Sequence, residues 1–133
     1  MHPFRQAVEA RDIDAIGALL ADDVAFFSPV MYRPYRGKSN TLPILYGVLR
    51  VFQDFRYHRE IAARDGRDHA FLFRATVNGL EVQGVDVLRF DEHGKITEFT
   101  VMVRPMSGIR AVAEAMAVQF ERVQLEAALA GTL

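Results

Sequence analysis

Apolar residues at Phe4, Ala7 and Val8 recur at the spacing of one helix face, and Asp12 stands where an N-cap would open a second short helix carrying Ile13, Ile16 and Leu20. Val24 to Phe27 is a short strand-like run closed by Ser28-Pro29, and a loop rich in Pro, Tyr and Arg continues to Lys38. Ser39 is placed to cap a third helix, with Pro43 near its first turn and Leu42, Leu45, Leu49 and Phe52 as its apolar stripe. Beyond Asp54 the spacing of apolar residues falls from near 3.6 to 2, which predicts four strands at about Arg56–Arg64, His69–Val77, Leu80–Phe90 and Lys95–Arg104. Asp65-Gly66, Asn78-Gly79 and Asp91-Glu92-His93-Gly94 join them as tight turns, so the strands form an antiparallel meander. From Ser107 onward, Ile109, Val112, Met116, Phe120 and Val123 fall on one side of an amphipathic closing helix.

Helices gathered ahead of a curved antiparallel sheet predict an α+β domain. Alternation sorts the faces of that sheet. His69, Phe71, Phe73, Ala75 and Val77 share one face of their strand, and Val82, Gly84, Asp86, Leu88 and Phe90 share one face of the next. Phe99, Val101 and Val103 continue the same surface on the last strand. Asp86 is the one carboxyl in this aromatic and aliphatic face. The opposite face carries Leu72, Thr76, Val85, Val87, Thr100 and Met102, too apolar for water alone, and the closing helix covers only part of it, so a homodimer through this face is expected.

Composition narrows the chemistry. A chain of 133 residues suits a single domain spanning 1–133, and a domain of this size buries about two-thirds of its unfolded surface without needing a metal or a cross-link. The absence of Cys removes disulfides, zinc-thiolate sites, iron-sulfur clusters and thiol catalysis. Lys+Arg 16 against Asp+Glu 17 supplies no general pull toward nucleic-acid phosphates, so no nucleic-acid partner is expected. No run approaches about 18 apolar residues and the N-terminal dozen lacks an apolar stretch, so the expectation is a cytoplasmic protein with no membrane association. His and carboxylate residues nowhere show helical metal-ligand spacing; neither a metal nor another cofactor is expected.

The order of elements, with Arg11-Asp-Ile-Asp-Ala-Ile, Ala21-Asp-Asp-Val, the Ser28-Pro29 bend, Gly37, and the run from Gly84-Val85-Asp86 through Asp91-Glu92-His93-Gly94 to Lys95-Ile96-Thr97, resembles the nuclear transport factor 2-like superfamily over nearly the whole chain. This cone-shaped fold includes ketosteroid isomerases and SnoaL-type polyketide cyclases. The resemblance implies a deep apolar pocket between sheet and helices, commonly in a homodimer. It also implies that Asp86 falls where ketosteroid isomerases keep a protonated acid that hydrogen-bonds the substrate oxyanion. The carboxylate base of that family precedes the bend-forming proline, where this chain has Ser28, and its oxyanion-binding tyrosine in the first helix is matched by Phe4. Losing a general base costs about 10²- to 10⁴-fold and losing one oxyanion donor about 10²- to 10³-fold, so isomerisation by the family mechanism is not expected.

On physical grounds an ionised Asp86 among Phe71, Phe73, Leu88 and Phe99 would be poorly solvated, and its pKa should rise unless a cation or donors reach it. Two roles remain for it: an acid that protonates or hydrogen-bonds a ligand carbonyl, or a core-specifying group paired to a neighbouring Arg, Tyr or His. Phe4, Phe71, Phe73, Leu88, Phe99 and Val101 would shape the pocket. Ser28, Tyr32, Tyr35 and Tyr46 are candidate hydroxyl contacts at its mouth, and His58 and His69 are candidate acid-base groups, His69 being the one on the apolar face. His93 belongs to a solvated turn, and Arg33, Arg36 and Lys38 to a solvated loop. The expected function is binding of a small hydrophobic molecule; the alternative is an isomerase, cyclase or dehydratase using Asp86 as acid or hydrogen-bond donor.

Overall fold

The structure, a computed structural model, describes the backbone of residues 2–131 and the side chains of residues 2–121. Helix α1 (Pro3–Glu9) starts on Pro3, whose missing N–H is harmless in a first turn, and His2 caps it by accepting from the Phe4 amide at 3.0 Å. Asp12 caps α2 (Ile13–Leu19) by accepting from the Ala15 amide at 3.1 Å. Leu20 lies outside this helix, contrary to the helical spacing: its backbone is already extended and it opens β1 (Leu20–Phe27). That strand is longer than the Val24–Phe27 run because the exposed pair Asp22-Asp23 interrupts the alternation at a register shift.

Within the Pro- and Tyr-rich loop, Tyr35 and Arg36 form β2 (Tyr35–Arg36) against Phe26 and Ala25. Helix α3 (Lys38–Val51) begins one residue ahead of Ser39, so Ser39 is not its cap; Gly37, at φ 90°, takes that position. Pro43 lies inside the helix rather than in its first turn. Thr41, fully buried, hydrogen-bonds the Gly37 carbonyl through both its amide and its Oγ1 and keeps the first turn closed.

The four-stranded meander comprises β3 (Gln53–Ala62), β4 (Asp68–Val77), β5 (Leu80–Phe90) and β6 (Ile96–Arg104). Asn78 and Gly79 both adopt positive φ, the geometry of a tight hairpin turn. β3 starts and ends earlier than the spacing predicts, since Asp54 at φ 51° and a register shift next to it bend the entry and put Phe55 on the strand. The sheet has six strands in the order β2-β1-β6-β5-β4-β3; β1 runs parallel to β6 and the other neighbours are antiparallel.

This curved, unclosed sheet holds the helices on its inner face. Phe4, Phe26, Phe71, Phe73 and Leu88 are fully buried between the layers. Helix α4 (Met106–Gly131) packs Val112 and Met116 inward, and Gly108 allows its approach, for a Cβ there would stand 2.6 Å from Val82 Cγ1. Ala111, Val112 and Met116 of this helix join the core on the inner face of the sheet. Val123 lies outside the described side chains. Among the described residues no helix is long and apolar enough to cross a membrane.

Candidate functional site

Asp86 sits at the middle of β5, its carboxyl directed inward by the same alternation that buries Val82, Leu88 and Phe90. Its cross-strand neighbours are Phe71 on β4 and Val101 on β6. Tyr57, on β3, faces Phe73 in register and reaches across β4. Its hydroxyl donates to Asp86 Oδ2 at 2.5 Å, and both side chains are buried. The ring of Tyr57 is held edge-on by Phe55 at 4.9 Å and Phe73 at 6.3 Å. From behind, Arg5 of α1 donates to the Tyr57 carbonyl at 3.0 Å while pairing with Glu60 at 2.9 Å and Glu9 at 2.8 Å, which ties the strand to the helix.

Burial raises the Asp86 carboxyl from 3.8 to about 7, and the hydrogen bond from Tyr57 opposes part of that rise. The Tyr57 hydroxyl is pushed well above its ordinary value, first by burial and then by the neighbouring carboxylate. Asp86 therefore exchanges a proton near neutrality while Tyr57 stays a donor. No hydrogen bond reaches Asp86 Oδ1 among the described residues.

These two residues border a hollow of about 120 Å³ enclosed by the inner face of the sheet and all four helices. Phe4, Phe26, Phe73, Phe99 and Val101 wall it on one side, and Ile44, Leu45, Val48, Leu49 and Met116 on the other. Glu9 and Arg11, both exposed, stand at its rim with Ser28, Val30 and Phe120. Ser28 Oγ accepts from the amides of Val30 at 3.3 Å and Met31 at 3.0 Å, so the hydroxyl shapes the bend it follows.

Of the expected site residues, the structure brings Asp86, Phe4, Ser28, Tyr35, Phe73, Phe99 and Val101 together around the hollow. Phe71 and Leu88 are fully buried behind it, Phe71 against Phe4 at 5.2 Å, and neither is among its lining residues. Tyr32 projects from the loop at 98% exposure, and Tyr46 lies on the outer side of α3 beneath Arg50. His69 stacks between His2 and Phe71 near the strand end, with Nε2 3.1 Å from the Gly66 carbonyl, away from the lining. His58 is exposed. Tyr57, which hydrogen-bonds Asp86 and lines the hollow, was not singled out in the sequence; the alternation of Phe55 and Tyr57 was its signal. Among the described residues no group of three or more His, Asp or Glu is placed to hold a metal.

The family model described as a SnoaL-like domain matches residues 2–99. A steroid delta-isomerase from Pseudomonas aeruginosa superposes with a TM-score of 0.88 at 40% identity, covering 92% of this chain and 89% of that one. An uncharacterised bacterial protein with a cystatin-like fold from Silicibacter pomeroyi DSS-3 gives 0.83 at 34% identity, with 88% and 82% coverage. A putative SnoaL-like polyketide cyclase from Shewanella denitrificans OS-217, 15% identical, gives 0.61 over 90% of this chain and 93% of that one, a likeness of fold alone. No curated protein matches. The inward acid of β5, the cone of helices on its sheet and these matches agree: the chain belongs to the SnoaL-like domain family within the nuclear transport factor 2-like superfamily.

Proposed function

We propose that the protein binds a small, mostly apolar molecule carrying one oxygen, seated in the hollow with that oxygen against Asp86. The observation that carries this reading is a carboxyl titrating near 7, bordering an otherwise aromatic and aliphatic hollow and held by one tyrosine. A neutral Asp86 can donate to a ketone through the oxygen that Tyr57 does not use, and the hydrogen bond gains strength from the low dielectric around it. An apolar cavity of about 150 Å³ admits benzene, so a hollow of about 120 Å³ matches a single-ring occupant.

Acetophenone and ethylbenzene, nearly equal in shape, provide the test. At pH 5 calorimetry should give acetophenone the tighter binding, by about three- to tenfold for one net hydrogen bond. That advantage should disappear above pH 8, where Asp86 is ionised and repels the carbonyl. Equal affinities at both pH values would remove the role of Asp86. Native mass spectrometry of the purified protein would identify any natural occupant.

A catalytic reading shares the same site. It is favoured by the proton exchange of Asp86 near neutrality and by the 40% identity to a protein described as a steroid delta-isomerase. It would use Asp86 to hydrogen-bond the enolate formed when the rim carboxylate Glu9 takes the α-proton, which Glu9 then returns at the γ-carbon. The other carboxylate in the lining, Glu9, stands at the rim in a salt bridge with Arg5. Double-bond migration in a β,γ-unsaturated ketone, followed by absorbance, separates the readings: turnover that falls in Asp86→Asn establishes catalysis, and binding without turnover leaves the receptor.

A further inference from the structure

Acids and bases nearly balance over the whole chain, 17 against 16, yet between Asp23 and Asp54 there are four cations, Arg33, Arg36, Lys38 and Arg50, and no carboxylate. Arg33, Arg36 and Lys38 belong to the β1–β2 hairpin and the residue that opens α3. Among the described residues none of these three pairs with a carboxylate, and Arg33 and Arg36 are exposed. Ala25 faces Arg36 and Phe26 faces Tyr35 in register, so the turn of the hairpin lies between Phe27 and Pro34. Asp22 and Asp23 lie beyond the base of the hairpin, at the opposite end from that turn.

The turn holds apolar side chains out beside these charges. Val30 is 38% exposed, Met31 52% and Tyr32 98%. They are fixed in place, since Ser28 Oγ accepts from the amides of Val30 and Met31 and the ring of Pro29 locks its own φ. The same segment borders the hollow: Ser28, Pro29, Val30 and Tyr35 line it, and the half-exposed Phe120 shares its rim. Glu9 and Arg11, the other charged residues there, are of opposite sign. Apolar and aromatic side chains flanked by cations are the composition that seats at the boundary between headgroups and acyl chains of an anionic bilayer.

We infer that the β1–β2 hairpin docks the protein on an anionic bilayer surface. Val30, Met31 and Tyr32 enter the headgroup boundary, Arg33, Arg36 and Lys38 meet the lipid phosphates, and the mouth of the hollow lies against the lipid. An apolar molecule then passes between bilayer and hollow without crossing water. The bilayer is favoured over an acidic protein because the turn adjoins the apolar mouth, and hydrocarbon is the medium in which an apolar occupant dissolves. The expectation of no membrane association rests on the lack of a spanning run, which a surface contact does not need. Docking needs no occupant in the hollow, so it stands or falls apart from the proposed binding of a ketone.

Flotation of the full chain with vesicles tests this, one set of equal parts phosphatidylglycerol and phosphatidylcholine, the other of phosphatidylcholine alone. The wild type should float with the first and not the second, and should be released as salt rises from about 0.05 to about 0.5 M. Each basic side chain close to such a surface raises partition about fivefold, so Arg33→Gln, Arg36→Gln and Lys38→Gln together should lower it on the order of a hundredfold. Met31→Ser with Tyr32→Ser should lower it about tenfold. Arg56→Gln with Arg74→Gln, on the outer face of the sheet, should leave it unchanged. Circular dichroism confirms folding, and the Met31 and Tyr32 pair serves alone if the charge variant does not fold. A wild type that floats with neither set, as an acidic protein partner would predict, or with both alike, overturns the docking. So does flotation that survives the hairpin changes.

Discussion

With Phe71 and Val101 as cross-strand neighbours, the ionised form of Asp86 depends on one donor, the Tyr57 hydroxyl. Tyr57→Phe withdraws that donor, so the Asp86 midpoint should move above 7, read from the carboxyl carbon shift in an NMR titration. A midpoint near an ordinary aspartate would contradict both the burial and the pairing. Gly84 is a second sensitive position: a Cβ there would lie 2.3 Å from Phe73 Cζ and 2.6 Å from the Met102 carbonyl oxygen. Gly84→Ala should cost about 1–3 kcal/mol in denaturant unfolding, since the backbone cannot yield as a side chain can. Asp86 was visible in the sequence because it alone breaks the apolar alternation from Val82 to Phe90. Tyr57 was hidden because an expected strand start at Arg56 left Phe55 outside the pattern. Tyr46 shares its helix with Leu45 and Val48, yet a rotation of about 100° per residue carries it to the solvent side.

Helix α1 and strand β3 are joined by Arg5, which holds Glu9, Glu60 and the Tyr57 carbonyl at once. Arg5→Met keeps the packed stem and removes the clasp; Tyr57 should then hold Asp86 less well, raising the Asp86 midpoint and carrying the preference for acetophenone over ethylbenzene to higher pH. The same NMR and calorimetric measurements check it, and an unchanged midpoint would show that packing of Phe55 and Phe73 suffices. The meander was legible from its period of 2 and its turns. The α2 to β1 junction was not, because Leu20 fits a helical stripe and an extended strand equally. Nor was β2, whose two residues derive their pairing from β1 rather than from any pattern of their own.

For the molecule as a whole, Asp86 sets a pH dependence with a definite sign. Its native value of about 7 lies above the 3.8 of a free carboxyl, so the native state holds the proton more tightly than the unfolded state. Stability associated with this group is therefore greatest below pH 4 and declines as pH rises to about 7, by on the order of 4 kcal/mol at most. Unfolding curves between pH 4 and 8 should show that decline against Asp86→Asn, in which this contribution is flat. The cone with its apolar inner face followed from alternation and from the resemblance, whereas the size of the hollow did not, since it depends on how Val30, Val48 and Phe120 from separate elements close over it. Tyr57 also belongs to β3, the border strand of the sheet, bonded to a neighbour on one side only. Fraying of that border carries the tyrosine away from the acid, so a guest that strengthens their contact also restrains the margin of the sheet. Amide exchange along β3 should slow when the hollow is filled, making an otherwise peripheral strand the reporter of occupancy.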